Sequence, residues 1–569
     1  GTDDILTMFS NASVAYSMRD AVLFDVVGAL VVHAFYNRYE VYPSHLALTL
    51  VLLGAVPSIS TVFLTSHIES VIAAIMLSFS LFYAAMLASI VIYRISPFHP
   101  LSRYPGPLLA KISKFYGIWK ASSGKNHIFH KEIHERYGPY VRVGPNELSI
   151  ADADYLSTIL GVEGLPKGPM WEARRNPRGV GSLIATQDPQ EHARRRKPWN
   201  LKRALQLVEE LEKRSTRKEG ASPVLNLAEW MRYFTFDFMG DMVFGGAFET
   251  MRDGADDVPI WHAIESGLKI LAMMHHVPWL AAVLHKLPGS TEKIDRLRRY
   301  TEDAARKRKR NGSNVKDLFH HLIDEEGVGK EPPTEAEVLS DGILAIIAGS
   351  DTTAFVLSGL LYNLLLHPED YRRLQKEVDE YFPPSEGDPF DTSKLSEMPF
   401  LNAVINEALR ISPPGNILQR GTTVSTGGRR LGNNYIPKGT AVDVSMYALF
   451  RDPRYFSPAP EEFWPDRWLP DNMKKRTPKQ ALDANSMAHK TESGITMNAA
   501  AFFPFSYGPA NCAGRSLALI EMRMVIAVLV QRFDMRLKHG YDPSEWHDKV
   551  EDWFVMTTGE LPAVLTCRT

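Results

Sequence analysis

Three apolar stretches lie near the start of the chain, at Ala21 to Tyr36, Leu46 to Thr65 and Val71 to Tyr93. The second and third carry no charge and reach the roughly 20 residues that a membrane-spanning helix needs. The first is shorter and contains Asp25 and His33. An acid at membrane depth is costly, so the pattern predicts at least two spans and leaves the first stretch open.

Basic residues follow the third stretch, beginning with Arg94 and Arg103. Positive flanks favour the cytoplasmic side of a membrane, so we expect the main domain to face the cytoplasm from the endoplasmic reticulum. With three spans the N-terminus would be lumenal, which would expose the glycosylation triplet at Asn11; with two it would be cytoplasmic. The pattern predicts an anchor over residues 1–94, a stiff proline-rich hinge over 95–108 and one large domain over 109–569.

The large domain reads as mainly helical. Apolar periodicity runs from Glu335 to His367 and ends at Pro368, and a short charged helix is expected from Asp370 to Tyr381. Short β-branched and aromatic runs such as Tyr140 to Val143 indicate small strands. The polar run from Lys474 to Ala499 is typical of a surface insertion. We therefore predict a mainly α fold with small β-sheets.

Composition excludes several classes of protein. Apolar residues make up 45% of the chain, enough for a large core. The formal net charge of −2 gives no sign of a nucleic-acid partner. The only cysteines are Cys512 and Cys567, too few for a disulfide framework.

One of those cysteines lies in an unusual loop, from Phe505 to Gly514. Gly508 and Gly514 permit close backbone approach and uncommon φ angles. An apolar helix follows, and its N-terminus favours an anionic sulfur at Cys512. A lone cysteine is more often a small buried apolar residue than a ligand, but this context is suited to a thiolate that binds a flat metal cofactor.

A second unusual segment lies inside the long helix, where Ala348-Gly349-Ser350-Asp351-Thr352-Thr353 places an acid and hydroxyls among apolar residues. One interpretation is a helix in which a threonine bonds back to the preceding turn. The other is a proton path, because a carboxylate beside a hydroxyl can relay protons carried by water.

The cysteine loop resembles the haem-binding signature of the cytochrome P450 family, with Phe505, Gly508, Cys512 and Gly514 at its signature positions. The resemblance implies that Cys512 is the axial ligand of a haem b iron and that the loop binds that cofactor. The basic residue of the signature is replaced by Ala510, so its contact with a haem propionate must come from elsewhere or be absent.

The helical segment resembles the family's oxygen-activating motif. This implies that Asp351 and Thr352 form the catalytic acid–alcohol pair, and that Gly349 leaves room for O₂ and substrate. Both motifs imply the cytochrome P450 fold, with the haem between this helix and the cysteine loop.

Two further resemblances concern basic residues. Glu407 and Arg410, with Arg467 from a downstream Phe-Trp-Pro-Asp-Arg-Trp segment, resemble a structural cluster beneath the haem; Trp468 stands where phenylalanine is more common. A Glu-x-x-Arg motif without further context is more often an ordinary ion pair on the protein surface. The propionate-binding role of the family carries over to His192, Arg196 and Arg420. Lys202 and Arg203 would contribute to a basic patch that docks an acidic reductase.

The resemblance implies a monooxygenase that inserts one oxygen atom into a lipophilic small molecule. NADPH would act through a separate NADPH–cytochrome P450 reductase, with cytochrome b5 as a second candidate donor, since the sequence has no dinucleotide-binding fingerprint. The hinge and cysteine loop look like those of fungal members in secondary metabolism, and a terpenoid is the favoured substrate. The family's topology places the pocket at 180–184, 230–244, 344–348, 415–418 and 554–557.

Two alternatives remain open at this stage. One is a haem-thiolate isomerase or dehydratase that needs neither O₂ nor a reductase, although such enzymes often alter the pair that is intact here as Asp351 and Thr352. The other is a non-catalytic membrane protein that binds haem as a sensor or carrier.

Overall fold

The computed structural model describes residues 17–38, 46–174, 203–215, 223–244, 248–254, 259–278, 334–383, 391–422, 427–475 and 496–568, with a few isolated positions between 280 and 389. His192, Arg196, Lys202 and the expected pocket segment 180–184 lie outside these residues, as does most of the insertion from 474 to 499.

The three apolar stretches form three helices that pack on one another: α1 (Met18–Arg38), α2 (Leu46–Leu64) and α3 (Val71–Ile95). Asp25 of α1 is fully buried between them. Its carboxylate accepts hydrogen bonds from the hydroxyls of Ser60 on α2, at 2.7 Å, and Ser78 on α3, at 2.9 and 3.0 Å. The acid that makes the first stretch doubtful as a span therefore has polar partners inside the bundle.

Two described helices are long and apolar enough to cross a membrane, Val71–Ile95 and Glu335–Leu366. Only 11% of the most apolar window of Val71–Ile95 is buried inside the protein, against 56% for the other. The second is a core helix of the large domain, since its C-terminal half is enclosed by protein on every side. Val71–Ile95 is the better membrane candidate.

A buried arginine joins the bundle to the large domain. Arg142 is inaccessible to solvent. Its guanidinium donates to the backbone carbonyl of Arg94, at the end of α3, at 3.0 Å and contacts His99 Nε2 at 3.2 Å. Its backbone N–H donates to the carbonyl of Pro105 at 2.7 Å. The residues between the three-helix bundle and the large domain are thus fixed at several points.

The large domain is mainly helical, as expected. Its described helices are α4 (Leu108–Ile112), α5 (Phe115–Ala121), α6 (Asn126–Tyr137), α7 (Leu156–Leu160), α8 (Ala204–Ser215), α9 (Leu227–Phe244), α10 (Thr250–Asp253), α11 (Pro259–Met274), α12 (Glu335–Leu366), α13 (Pro368–Tyr381), α14 (Thr392–Leu395), α15 (Pro399–Ile411), α16 (Met446–Leu449), α17 (Arg515–Arg532) and α18 (Ser544–Lys549).

The strands are short and form small sheets. They are β1 (Tyr140–Gly144), β2 (Glu147–Ile150), β3 (Val224–Asn226), β4 (Ile417–Gly421), β5 (Arg429–Leu431), β6 (Asn434–Ile436), β7 (Ala441–Ser445), β8 (Phe456–Ser457), β9 (Thr496–Met497), β10 (Phe533–Leu537), β11 (Glu551–Trp553), β12 (Val555–Thr557) and β13 (Pro562–Cys567). A four-stranded sheet has the order β1-β2-β7-β4, in which β2 and β7 are parallel; a three-stranded sheet has the order β10-β13-β3. Three two-stranded sheets pair β11 with β12, β5 with β6 and β8 with β9.

The long helix α12 begins and ends where its sequence dictates. Thr334 and Glu337 form a capping box, each side chain bonding the backbone N–H of the other residue. Pro368 opens the next helix, because proline is tolerated in a first turn but cannot continue a helix. Helices α9, α15 and α17 pack around α12 in the main apolar core, which thereby holds the two segments singled out in the sequence.

Candidate functional site

The cysteine loop is held by its own backbone. Residues 508–510 form a short 3₁₀ turn. The backbone N–H of Cys512 donates to the carbonyl of Phe505 at 2.8 Å, and that of Asn511 donates to Gly508 at 3.1 Å. The Cys512 side chain is exposed and takes part in no disulfide. The sulfur is therefore presented by a fixed loop rather than packed into the core.

Of the two loop glycines, the geometry requires Gly508 and leaves room for a side chain at Gly514. Gly508 has φ +72°, and a Cβ atom there would lie 2.2 Å from the backbone oxygen of Leu160 on α7. Because both the φ angle and the contact exclude a side chain, Gly508 seats the loop on its neighbour. Gly514 precedes α17, and a Cβ there would lie 3.9 Å from Cys512 Sγ. The half-buried ring of Phe505 packs against the main core.

The helix after the loop favours a negative sulfur. α17 begins at Arg515, three residues beyond Cys512. The N-terminus of a helix carries a partial positive charge that stabilises a nearby anion. Such a position favours the thiolate form of a cysteine, which is the form that binds a metal.

The middle of α12 has a partly open face. Ala348, Asp351 and Thr352 are half-buried, whereas every residue from 353 to 364 is buried. The hydroxyl of Thr352 donates to the carbonyl of Ala348 at 2.6 Å, and that of Ser350 donates to Ile346 at 2.6 Å. The back-bonded threonine is thus present, and it leaves the oxygen of Thr352 able to accept a hydrogen bond on the open face.

The expectation for Gly349 needs correction. A Cβ atom at Gly349 would lie 2.5 Å from the sulfur of Met239 on α9. The space beside this glycine is therefore filled by a buried methionine, and its missing side chain lets α9 and α12 approach closely. The residue does not open room for O₂ and substrate here.

The ion-pair cluster is deeply buried and not a surface pair. Glu407 and Arg410 are both fully buried and joined by two hydrogen bonds of 2.7 and 2.8 Å. Arg467 Nε lies 3.5 Å from Glu407 Oε1. Burial alone would raise the pKa of Glu407, but the two arginines and their hydrogen bonds hold it at about 2. The cluster carries charge throughout the neutral pH range.

Carbonyl groups tie this cluster to the loops around it. Arg410 donates to the carbonyls of Phe450, at 2.7 Å, and Glu462, at 2.9 Å. Arg467 donates to those of Pro458, at 3.1 Å, and Ala459, at 2.8 Å. These bonds fix the segment from Phe450 to Glu462, and the role of holding the cysteine loop in place, which the resemblance implies, stays a prediction.

Arg420, a predicted propionate contact, lies on β4 with 4% of its surface exposed. Its guanidinium donates to the backbone carbonyl of Gln419 at 3.1 Å. Within the described ranges no carboxylate forms an ion pair with it, and burial lowers its pKa to about 10. A buried cation of this kind requires a compensating anion.

The structure describes only part of the expected pocket, since residues 180–184 lie outside the described ranges. Phe554, between β11 and β12, has φ +79°. Its ring lies 5.8 Å from that of Trp171 and 5.3 Å from that of His275, both edge to face. Trp171 and His275 were not predicted; their link to Phe554 depends on contacts between segments far apart in the chain. These three rings form an aromatic cluster, and residues 344, 345, 347 and 348 of the expected pocket are half-buried on α12.

The segment from Trp230 to Phe244 belongs to the core rather than to a pocket. It forms α9, which packs along α12, and Phe234, Phe236 and Phe238 are fully buried. A helix occupied by core contacts on consecutive turns has little surface to offer a substrate. The pocket expectation for this segment is therefore wrong.

Arg203 is likewise not available for docking a partner. It is 7% exposed and bonds the carboxylates of Asp241 and Glu249, with Asp237 3.8 Å away. Burial opposes its charge, but these carboxylates raise its pKa. Its role is to join the start of α8 to α9 and the following turn.

These residues fit the haem that the sequence implies. Cys512 would supply the thiolate donor, and Arg420 is a buried cation without a partner carboxylate in the described ranges. The apolar helix α12 has a half-buried stretch just before its enclosed C-terminal half. A flat, apolar cofactor with a metal centre and carboxylates at its edge matches this combination of groups.

Comparison with known proteins agrees with this geometry. The cytochrome P450 family model matches residues 105–561. The cytochrome P450 monooxygenase FCK2 of Fusarium pseudograminearum (strain CS3096) is 31% identical over 85% of this chain and 85% of its own length. The cytochrome P450 monooxygenase phqL of Penicillium fellutanum is 32% identical, covering 86% and 83%, and the tryprostatin B 6-hydroxylase of Aspergillus fumigatus is 29% identical, covering 86% and 84%.

A solved structure of a zebra fish cytochrome P450 shares the fold. It covers 78% of this chain and 99% of its own, with a TM-score of 0.60 and 20% sequence identity. The predicted mainly α fold with small sheets is confirmed. On the family match, the curated relatives and the thiolate loop, the chain belongs to the cytochrome P450 family of haem-thiolate monooxygenases.

Proposed function

We propose that the protein oxidises a lipophilic small molecule in fungal secondary metabolism, with hydroxylation as the simplest outcome. The balanced reaction is RH + O₂ + 2 e⁻ + 2 H⁺ → ROH + H₂O. The observation that carries the proposal is the coexistence of a fixed, exposed cysteine loop with an intact Asp351–Thr352 pair on a half-open helix face. Bound haem would supply the activation of dioxygen.

The protein's own contribution to that reaction is the delivery of protons. Because the hydroxyl hydrogen of Thr352 is donated to Ala348, its oxygen can accept a hydrogen bond from a water molecule and hold it on the open face. Asp351 is adjacent and half-buried. A carboxylate and a hydroxyl so placed can pass protons inward one at a time.

An aromatic cluster supports a lipophilic substrate. Phe554, Trp171 and His275 form an aromatic cluster, and apolar pockets with a few polar groups bind lipophilic ligands. One relative is named for the hydroxylation of tryprostatin B. We infer that a terpenoid is the first class to test, with alkaloids and polyketides as the other scaffolds of this metabolism.

Electrons would come from NADPH through a separate reductase, with cytochrome b5 as a second candidate donor. Arg515 is exposed beside the cysteine loop. A base at this position supports docking of an acidic flavoprotein close to the sulfur, since complementary charge steers such encounters.

The protein would act from the endoplasmic reticulum membrane with its large domain in the cytoplasm. Five large apolar side chains between the end of α3 and the end of α5 are each 59–87% exposed: Phe98, Leu108, Leu109, Phe115 and Trp119. Large exposed apolar side chains next to a membrane helix support contact with lipid. The hydrogen-bonded burial of Asp25 supports three spans, which would place the N-terminus in the lumen.

Turnover in microsomes that contain a reductase tests the proposal. We expect oxidised product from a lipophilic scaffold only when NADPH is added, with one product oxygen derived from isotopically labelled O₂. Product formed without NADPH and reductase would instead show an isomerase or dehydratase. No O₂ uptake with any of the scaffolds would favour a haem-binding protein without catalysis.

A further inference from the structure

A segment that sequence reasoning did not single out lies against the buried arginine of β4. The backbone N–H of Gly421 donates to the carbonyl of Pro166 at 2.9 Å. Lys167 then faces Arg420 across an isolated antiparallel bridge. The indole of Trp171 donates to the carbonyl of Gln419 at 3.0 Å. Residues 166–171 are thus attached to the strand at several points.

This pairing places two cations together. Residues directly opposite each other in an antiparallel pair project to the same face, with Cβ atoms about 5 Å apart, and like charges there are destabilising. Arg420 is 4% exposed, and its guanidinium bonds only a backbone carbonyl within the described part of the chain. The ammonium of Lys167 lies 5.3 Å from the ring centroid of Trp171.

The positive charges of Lys167 and Arg420 favour the binding of an anion. Burial, and then the charge of Arg420, lower the pKa of Lys167 to about 7. A buried guanidinium such as that of Arg420 is stabilised by an anion held close to it. A carboxylate held by both side chains would relieve their repulsion and form charge-assisted hydrogen bonds with each.

The cysteine loop lacks one contact of this type. Its signature position for a basic residue is Ala510, which cannot bind a carboxylate. We propose that Lys167 and Arg420 jointly bind one haem propionate, and that Lys167 supplies the basic contact missing at Ala510. This inference rests on the haem binding implied by family membership and names a residue for it in this chain.

Haem release from the full-length holoprotein tests the inference. We expect Lys167→Met to transfer its haem to apomyoglobin about 10-fold faster than the wild type, the loss that one charge-assisted hydrogen bond implies. Lys167→Arg should restore slow release. The control is Lys438→Met, which removes an exposed lysine near the same sheet and should leave release unchanged.

A carboxylate on the substrate is the other source of the same chemistry. Titration with dodecanoate and dodecanol, followed by the change in the haem spectrum, distinguishes a substrate carboxylate from a haem propionate, because only dodecanoate carries a carboxylate. Weaker dodecanoate binding in Lys167→Met with wild-type haem release would assign the pair to a substrate and overturn the propionate assignment, as would unchanged haem release alone. A wild-type protein without thiolate-bound haem would instead contradict the proposed function.

Discussion

The indole nitrogen of Trp468 donates a hydrogen bond to the carboxylate of Glu407 at 2.8 Å. The backbone N–H of Trp464 donates to the other oxygen of the same carboxylate, also at 2.8 Å. A phenylalanine at position 468 could not make this bond. The departure from the family's more common residue therefore adds a donor to the buried cluster.

We predict that Trp468→Phe lowers the free energy of unfolding by about 2 kcal/mol, because a hydrogen bond to a buried charged group is lost. Denaturant unfolding and haem content measure this effect. Trp546→Phe is the matched control: its buried indole stacks on Tyr362 and donates to no carboxylate in the described ranges. Equal losses in the two variants would show that ring size, not the hydrogen bond, matters.

Replacement of the loop glycine should damage haem binding specifically. We predict that Gly508→Ala yields protein with sharply reduced haem content, because its Cβ would meet the backbone of Leu160. Gly439→Ala is matched in conformation, with φ +75° and no atom within 4 Å of the added Cβ. In both variants the free energy of unfolding should fall by about 1 kcal/mol, because alanine is unfavourable at a left-handed φ angle. Normal haem content in Gly508→Ala would show that Gly508 is not needed to position the cysteine loop against Leu160.

Loss of the Thr352 hydroxyl should uncouple oxygen consumption from product. We predict that Thr352→Val binds haem normally but forms product about 10-fold or more slowly, with O₂ diverted to peroxide, since the proton relay is broken. Thr352→Ser should restore coupling. Ser350→Ala removes an equivalent back-bond from a buried face and should change stability only. Normal coupling in Thr352→Val, measured as product per NADPH, would exclude Thr352 from the proton path.

A buried acid outside the site should make stability depend on pH. Burial, and then the nearby Glu147, raise the pKa of Asp443 from 3.8 to about 7, despite a hydrogen bond from Gln419 and the charge of Lys114. Because the unfolded chain releases this proton at lower pH, Asp443 destabilises the fold increasingly as pH rises from about 4 to about 7.

We predict that Asp443→Asn, which removes that cost and keeps an acceptor for Gln419, is about 1–2 kcal/mol more stable than the wild type at pH ~8. The difference should shrink toward pH ~5. Thermal unfolding of both proteins across this range measures it. A difference that does not vary with pH would show that Asp443 keeps its ordinary pKa.

The topology of the anchor can be tested with an epitope fused at the N-terminus. Because Asp25 is hydrogen-bonded to Ser60 and Ser78, we expect α1 to cross the membrane with α2 and α3. The epitope should then resist protease in sealed microsomes and become sensitive once detergent is added. Digestion of the epitope in sealed microsomes would show that only two helices cross the membrane.

The sequence predicted best those features that are encoded locally. The long helix, bounded by Thr334 and Pro368, and the loop around Cys512 depend on residues close together in the chain. A capping box, a proline and a glycine with positive φ each act within a few residues, so a pattern can reveal them.

Features that depend on distant pairing could not be predicted from the pattern of the chain itself, and the pairing of Arg467 with Glu407 was predicted only through the family resemblance. Lys167 meets Arg420 only because residues 166–171 pair with β4, and Trp468 meets Glu407 across 61 positions. Arg203 belongs to a basic run in the sequence, but the fold brings carboxylates to it. The pattern of charged and apolar residues along a chain does not show which side chains become neighbours in the fold. The two missed contacts and the wrong expectation for Arg203 share this cause.

The thiolate bond to iron is the claim on which the whole account depends. The carbon monoxide difference spectrum of the reduced, full-length protein measures it most directly, with Cys512→Ser and Cys567→Ser compared side by side. We predict the thiolate-type band in the wild type and in Cys567→Ser, and its loss in Cys512→Ser. A well-folded, haem-supplied wild type without that band, or a Cys512→Ser variant that keeps it, would contradict the account.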